Sequence, residues 1–307
     1  MFHAVPPLAA AAAVRSSGVP EPIREELMDE VDLGAIGFYS RHPISSTMIL
    51  VKLRAGRGSL ESVSPPDLFP YDQDHYGGLE ANDALARATA IGEGSRVADF
   101  CAGLGGPARY LAWKYGADVT GVDLTPARVK GAAELTALVG LADRVRVVEG
   151  DVTRAPLPDR SFDAVISQEA FLHVPDKGQT IREAFRVLRP GGRFAFTDWV
   201  AHRPLSADDA ELFWQGQAVR NLQSVADYRG LIEDAGFRLE TTVDLTAAWA
   251  DILRKRLEMY RTLRDETRAA GAPSGHDAFY RSYVRLVDLV GAGDLGGARF
   301  AARKPPV

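Results

Sequence analysis

The stretch "VADFCAGLGGPARY", Val97 to Tyr110, runs from a short apolar segment holding one acid into a glycine-rich turn and then into a helical pattern. A strand, turn and helix of this kind lets a ligand approach the backbone closely, because glycine takes the turn with no Cβ in the way. Gly103 and Gly105, one residue apart, with the small Ala108 three further on, fit a dinucleotide fingerprint and a looser nucleoside-binding turn equally well. The turn by itself leaves both open.

Outward from that turn, strand and helix patterns alternate. Residues 79–90 read as a helix and Arg96 to Phe100 as the first strand. "ADVTGVD" (117–123) is the second strand, and "TPARVKGAAELTALVG" a helix with Thr125 as N-cap and Gly140 as C-cap. "RVRVVEGD" (144–151) and "FDAVISQEA" (162–170) give the third and fourth strands, "TIREAFRVL" a helix stopped by Pro190, and "GGRFAFTDWV" (191–200) a fifth strand entered through a Gly-Gly turn. "VADYRGLIEDAGFRLETTVDL" supplies a helix, a stop at Gly236 and a sixth strand, and "LGGARFAARK" (295–304) reads as a last strand. Parallel strands need crossovers, so the alternation predicts a doubly wound α/β fold with helices on both faces of a mostly parallel sheet. The ligand should then lie beyond the carboxyl ends of the strands.

The flanks divide the chain further. Residues 1–21 mix Ala, Pro, Ser and Gly without periodicity and are expected to form a flexible tail. Residues 22–75 read as an N-terminal helical cap and lid, carrying apolar positions such as Leu27, Val31, Leu33, Ile36, Ile49 and Leu53. The core is expected over 76–244, a helical insertion broken near Gly271 to Gly275 over 245–293, and the last strand and tail over 294–307. A net charge of −5 gives no electrostatic footprint for a phosphate backbone or an acidic membrane, so neither nucleic acid nor a membrane is an expected partner. The single cysteine, Cys101, excludes an internal disulfide and fits a reducing cytoplasm. The alanine run near the N-terminus has no Lys or Arg before it, unlike a secretory signal. A homodimer is compatible with everything read so far.

Charge separates the two ligands the glycine turn admits. A pyrophosphate favours helix amides and no inward carboxylate, whereas S-adenosylmethionine carries a sulfonium and an α-ammonium group and no phosphate. Asp99 closes the first strand, Asp123 the second and Asp151 the third, so acids recur at successive strand ends around Gly103 and Gly105. Both ligands need an acid such as Asp123 for ribose hydroxyls, but only the cation welcomes Asp99.

At these residues the chain resembles the class I S-adenosylmethionine-dependent methyltransferases. "VADFCAGLGGPARYLA", "GVDLTPARV", "VVEGDVTRAPLPDRSFDAVIS" and "VLRPGGRFAFTDW" carry the resemblance, within roughly residues 76 to 243. It implies a seven-stranded sheet with an antiparallel final strand and S-adenosylmethionine as cofactor, leaving S-adenosylhomocysteine as product. It also implies that Asp99 and the Gly103 to Gly106 turn face the methionine end, with Cys101 standing where the family usually has its first glycine. Asp123 would bind the ribose hydroxyls, Leu124 would pack on adenine, Asp151 and the backbone of Val152 would meet the adenine edge, and Gln168 would hold the amino acid end. The loop "SQEAFLHVPDK" is similar to that of the phosphoethanolamine and the sarcosine/dimethylglycine N-methyltransferases, where it matches His173 to a histidine near the methyl group. Tyr76-Gly77-Gly78 is similar to an aromatic-glycine segment that those enzymes lay over the cofactor.

Methyl transfer needs an acceptor lone pair behind the methyl carbon, exclusion of water and, for a protonated acceptor, a base. His173, with an imidazole that titrates near neutral pH, is the expected base or else a packing residue of its loop. Tyr76 is expected to close over the site, bonding the cofactor carboxylate or pairing with His173. Asp72, Asp74 and His75 include metal-ligand types, but alternate acids in a polar loop are more often solvated, and no metal is assigned. His75, Asp198, Trp199 and Trp214 are expected to frame the acceptor, while Trp249, Met259, Tyr260 and Tyr280 read as the core of the helical insertion. The expected function is methylation of a small organic acceptor, with an amine favoured over carbon or oxygen. The rivals are a nicotinamide-dependent reductase, a non-catalytic cofactor-binding module and, more weakly, a nucleic-acid methyltransferase.

Overall fold

The computed structural model describes residues 33–40, 44–269 and 277–306. The expected tail, Leu27, Val31 and the break at Gly271 to Gly275 lie outside the described residues. Among those described, the strands β1 (Arg96–Phe100), β2 (Asp118–Asp123), β3 (Val145–Glu149), β4 (Phe162–Gln168), β5 (Leu188–Ala201), β6 (Arg238–Asp244) and β7 (Leu295–Arg303) form one sheet. Its order is β3-β2-β1-β4-β5-β7-β6. The pairs from β3 to β5 are parallel, and β7 runs antiparallel to both β5 and β6. The seven-stranded doubly wound fold expected from the sequence is therefore present, and strand order reverses between β1 and β4, where ligands of such sheets bind.

Period-two alternation builds the core. On β5, Phe194 and Phe196 enter one apolar layer with Phe100, Phe171, Tyr228 and Phe300. Ala195 between them enters the opposite layer with Leu85, Leu111 and Ile166. Both faces are thus buried, which explains why the strands read as nearly continuous apolar runs. The described helices are α1 (Leu33–Ser40), α2 (Ser46–Arg57), α3 (Pro65–Asp72), α4 (Gly78–Thr89), α5 (Gly106–Tyr115), α6 (Pro126–Leu138), α7 (Lys177–Val187), α8 (Ala207–Gln217), α9 (Val225–Asp234), α10 (Thr246–Ala269) and α11 (Asp277–Ala292).

Several local expectations are corrected. Helix α7 ends at Val187, and β5 begins at Leu188, ahead of the Gly-Gly pair. Pro190 lacks an N–H for the ladder, and the register between β4 and β5 shifts between Phe162 and Ala164 to accommodate it. Thr125 stands at the N-cap of α6 without a side-chain capping bond, and Gly140, at φ +69°, follows the C-cap residue Val139. Strand β3 stops at Glu149, so Asp151 caps a short 3-10 turn rather than ending the strand. Met259, expected in the core of the insertion, is exposed, whereas Trp249 is buried there.

The cap is fastened to the glycine turn by one ion pair. Ile49, Leu53 and Leu68 of α2 and α3 pack with Leu104 of the turn and Leu135 of α6. Beneath them Asp72 of α3 meets Arg109 of α5 at 2.8 Å, with both side chains at 0% exposure. The guanidinium also donates to Thr136 of α6 at 3.2 Å. Burial pushes the Asp72 carboxyl up and the Arg109 guanidinium down against their mutual attraction. A Cβ added to Gly106 would come within 2.0 Å of the Asp72 carbonyl oxygen, so the cap chain and the start of α5 touch backbone to backbone.

Removing one partner of such a pair strands a desolvated charge, and the expected loss is about 3 to 5 kcal/mol. Asp72→Ala should therefore lower the urea midpoint of unfolding strongly, while the double change of Asp72→Ala with Arg109→Met should recover much of it. Equal loss in the single and double variants would contradict this account.

Candidate cofactor and acceptor site

At the switch point the chain leaves β1 through Cys101 at φ +59°, followed by Gly103 at φ +54° and Gly105 at φ +75°. A cysteine holds a left-handed conformation there at some steric cost, which is why glycine suits the position. The Gly103 N–H donates to Asp123 Oδ2 at 2.7 Å, and the Thr125 N–H donates to Asp123 Oδ1 at 2.9 Å. Each carboxylate oxygen keeps a further lone pair for a hydroxyl donor. A Cβ on Gly103 would meet nothing within 4 Å, so this face of the turn is an open cradle.

Two buried acceptors beside that cradle have no hydrogen-bond partner, Asp99 Oδ2 and Gln168 Oε1. Asp99 is 3% exposed, and burial, reinforced by the nearby Asp123 carboxylate, pushes its carboxyl up to about 8. Gln168 is oriented by a buried relay: its amide nitrogen donates to Asn82 Oδ1 at 2.7 Å, and Asn82 Nδ2 donates to Gln73 Oε1 at 2.7 Å. Burial also pushes the Cys101 thiol well up, so it stays protonated. Asp151 accepts from the Thr153 N–H at 2.8 Å, Val152 is buried, and Leu124 is exposed. Acceptors without donors, an open glycine cradle and converging acids fit a phosphate-free nucleoside bearing an ammonium group. A pyrophosphate would face Asp99 and does not fit.

On the acceptor side His173 follows β4, on a 3-10 turn over Phe171–His173. Its Nδ1 lies 3.0 Å from the Ala218 carbonyl oxygen and its Nε2 lies 3.0 Å from the Tyr39 hydroxyl. A carbonyl only accepts, so Nδ1 carries the proton and Nε2 of the neutral ring accepts from Tyr39. Burial raises the Tyr39 phenol, with Asp74 reinforcing it, which keeps that hydroxyl a donor. The Arg128 guanidinium covers the other side of the Tyr39 ring, 4.6 Å from its centroid. The expected pairing of His173 with Tyr76 is thus corrected, because α1 brings Tyr39 to the imidazole instead.

Other expected acceptor residues are turned inward. His75 is buried with its ring nitrogens 3.2 Å from the Tyr76 carbonyl and 3.0 Å from Gln73 Oε1, and burial holds it neutral at about 4. Asp198 is fully buried; it accepts from the Leu172 N–H at 3.3 Å and from the Tyr228 hydroxyl, so it anchors the His173 loop from below. Trp199 packs edge-on against Phe213 within the insertion's apolar cluster, and Trp214 lies half-buried under the Arg220 guanidinium. Asp72 is committed to Arg109, and Asp74 lies 3.3 Å from Arg128.

Tyr76 meets the tip of β4 through its backbone and packs through its ring. Its N–H donates to Glu169 Oε2 at 2.6 Å, and its ring lies edge-on to Trp249 with the Arg256 guanidinium above it at 4.6 Å. Glu169 takes φ +48°, a strained conformation for a residue with a Cβ, and burial pushes its carboxyl up to about 8. Tyr39, Glu169 and Arg256 went unrecognised in the sequence. Glu169 alone carried a legible signal, an acid immediately after Gln168 at a strand tip; the other two arrive from helices whose docking no local pattern encodes.

Comparison with known proteins agrees with this geometry. A family profile of methyltransferase domains matches residues 98–196. The chain is 42% identical over 131 residues to the sarcosine/dimethylglycine N-methyltransferase of Halorhodospira halochloris, covering 43% of this chain and 44% of that protein. It is 32% identical over 187 residues to the 27-O-demethylrifamycin SV methyltransferase of Amycolatopsis mediterranei, covering 60% of this chain and 69% of that protein. The chain spans 66%, 44% and 45% of the length of three further curated relatives. The solved phosphoethanolamine N-methyltransferase 2 of Haemonchus contortus, in complex with phosphomonomethylethanolamine and S-adenosylhomocysteine, superposes with a TM-score of 0.69 at 24% identity, over 90% of this chain and 61% of that one. Sheet order, the acids around the glycine turn and these likenesses together establish that the chain belongs to the S-adenosylmethionine-dependent methyltransferase family.

Proposed function

We propose that the chain transfers a methyl group from S-adenosylmethionine to a small organic acceptor, with an amine nitrogen as the favoured nucleophile. The observation that carries the reading is Asp99, buried at the switch point with Oδ2 unpartnered beside the equally unpartnered Gln168 Oε1. Two desolvated acceptors without donors are costly unless a ligand supplies N–H groups, and an α-ammonium supplies three. Asp123 would take the ribose hydroxyls, Asp151 and the Val152 backbone the adenine edge with Leu124 on its face, and Tyr76 would strap the methionine end. When bound, the cofactor supplies a methyl group activated by an adjacent sulfonium.

His173 would act through Tyr39, whose hydroxyl would pass its proton to Nε2, the nitrogen that Ala218 leaves without hydrogen, as its oxygen takes the acceptor's proton. Resemblance of the His173 loop to two N-methyltransferase groups supports an amine. The same base would serve a hydroxyl, and the likeness to a rifamycin methyltransferase keeps O-methylation as the second reading. No helix among the described residues is long and apolar enough to cross a membrane, and the lone cysteine supports action in a reducing cytoplasm.

Two outcomes follow. In the folded protein Asp99 and Glu169 stand near 8, above the roughly 4 of unfolded carboxylates. At these two groups the folded state therefore binds more protons, so their contribution to ligand-free stability is full below about pH 4 and falls as pH rises toward 8. An ammonium placed on Asp99 reverses its shift, so calorimetry of S-adenosylhomocysteine binding at pH 7 in two buffers of different ionisation enthalpy should show proton release. Asp99→Asn should abolish that release and weaken binding at least about tenfold, or about 1.4 kcal/mol; unchanged release and affinity would sink the cofactor reading. For the second, His173→Ala should leave S-adenosylhomocysteine affinity nearly intact and slow turnover on a responsive acceptor by about 100-fold or more. Unchanged turnover would remove His173 from proton transfer.

A further inference from the structure

Lys177 opens helix α7 directly after the His173 loop, and no step of the chemistry above uses it. It is 3% exposed, and its ammonium directs all three donors at oxygens: the Val174 carbonyl at 3.2 Å, the Asn221 carbonyl at 3.1 Å and Asn221 Oδ1. Burying an ammonium is costly unless its protons find acceptors, and here each of them does. The Asp198 carboxylate faces it from β5 and holds the Leu172 N–H of the same loop at 3.3 Å.

Through these bonds Lys177 joins two segments, 172–175 ahead of α7 and 218–221 after α8. The Arg220 N–H donates to the Leu172 carbonyl at 2.9 Å, and Asn221 Nδ2 donates to the Pro175 carbonyl at 3.2 Å, so the segments are paired along their length. The near end of 218–221 hangs on α8, where the Ala218 N–H donates to the Trp214 carbonyl at 3.0 Å. Beyond its far end the Gln223 carbonyl accepts from the Ala201 N–H of β5 at 2.9 Å. Ala218 itself takes φ +53°, a left-handed conformation that a residue with a Cβ adopts at a cost, so contacts outside the helix must hold its carbonyl in place.

The direction of that carbonyl decides the state of His173. The Tyr39 hydroxyl can donate to Nε2 or accept from it, so it suits either neutral tautomer. A carbonyl only accepts, so of these two ring partners it is Ala218 that demands the proton on Nδ1. We infer that Lys177 is a positioning residue for proton transfer, clasping residues 218–221 onto the His173 loop so that the Ala218 carbonyl keeps Nδ1 protonated and Nε2 open. The inference rests on His173 taking the Tyr39 proton, and it adds the residue that readies the receiving nitrogen. Without the clasp the Ala218 carbonyl leaves the ring, the imidazole samples the tautomer with hydrogen on Nε2, and that nitrogen can no longer take a proton from Tyr39.

The test uses the full chain with isotope-labelled histidine and long-range proton–nitrogen correlation NMR, in which protonated and unprotonated ring nitrogens differ widely in shift. Among the six histidines, the signal lost in His173→Ala is that of His173. Above the pH at which the ring titrates, wild type should favour hydrogen on Nδ1 over Nε2 by about tenfold, the worth of one hydrogen bond. Lys177→Met keeps the chain length and removes the donors, and it should bring the two tautomers to within about twofold of each other. Asn221→Ala, at a half-buried residue, should move the ratio the same way by less. An unchanged ratio in folded Lys177→Met, or in Asn221→Ala should the first variant not fold, overturns the inference: the lysine is then a structural tie, and His173 keeps its place in proton transfer. Wild type with hydrogen on Nε2 overturns the inference together with His173 as the proton's destination. The spectra need neither cofactor nor acceptor, so neither outcome depends on S-adenosylmethionine binding.

Discussion

Burying a carboxylate without a partner is among the least favourable arrangements a protein can adopt, and the account of this molecule depends on one. Asp99 is held at the tip of β1 by the sheet itself, flanked by β2 and β4, so it cannot turn away to water. Its companion Asp123 is spent partly on fixing the glycine turn through Gly103 and Thr125. The turn is therefore held open by one acid and faced by another that has no donor of its own. A fold that keeps such acids at its switch point stores free energy that a cationic nucleoside releases on binding, and an anionic one does not.

The same logic organises the second half of the site. Asp198 lies among the last residues of β5, fully buried, and ties the loop of His173 to the core through Leu172 and Tyr228. The imidazole is then fixed from both sides, by the Ala218 carbonyl and by Tyr39. The relay from His75 through Gln73 and Asn82 to Gln168 joins the lid to the strand tip, so the segment that covers the site also orients one of its acceptors. The Asp72 and Arg109 pair anchors that lid to the helix after the glycine turn. In the proposed reading closure and cofactor recognition would share residues, which favours a site that excludes water when filled.

Much of this was legible in the sequence because the signals were local. The alternation of apolar strands with capped helices gave the sheet, and Gly103, Gly105, Asp99 and Asp123 marked the switch point without any tertiary knowledge. Where the reading slipped, a local rule had been overridden by packing. Pro190 and the Gly-Gly pair read as punctuation, yet β5 runs through them because β4 shifts register alongside. His75 and Asp198 have the chemistry of substrate ligands, but their burial is decided by which neighbours fold over them. Tyr39 and Arg256 come from segments distant in sequence from the glycine turn, and nothing in their own sequence context says where they dock.

The central claim is that the acids at the strand tips receive a positively charged thioether nucleoside. The most direct measurement is a crystal structure of the chain grown with S-adenosylhomocysteine. The account predicts density with the α-ammonium in hydrogen-bond contact with Asp99 Oδ2 and Gln168 Oε1, and the ribose hydroxyls on Asp123. Density for the nucleoside elsewhere, or an Asp99 carboxylate still without a donor in the filled site, would contradict it.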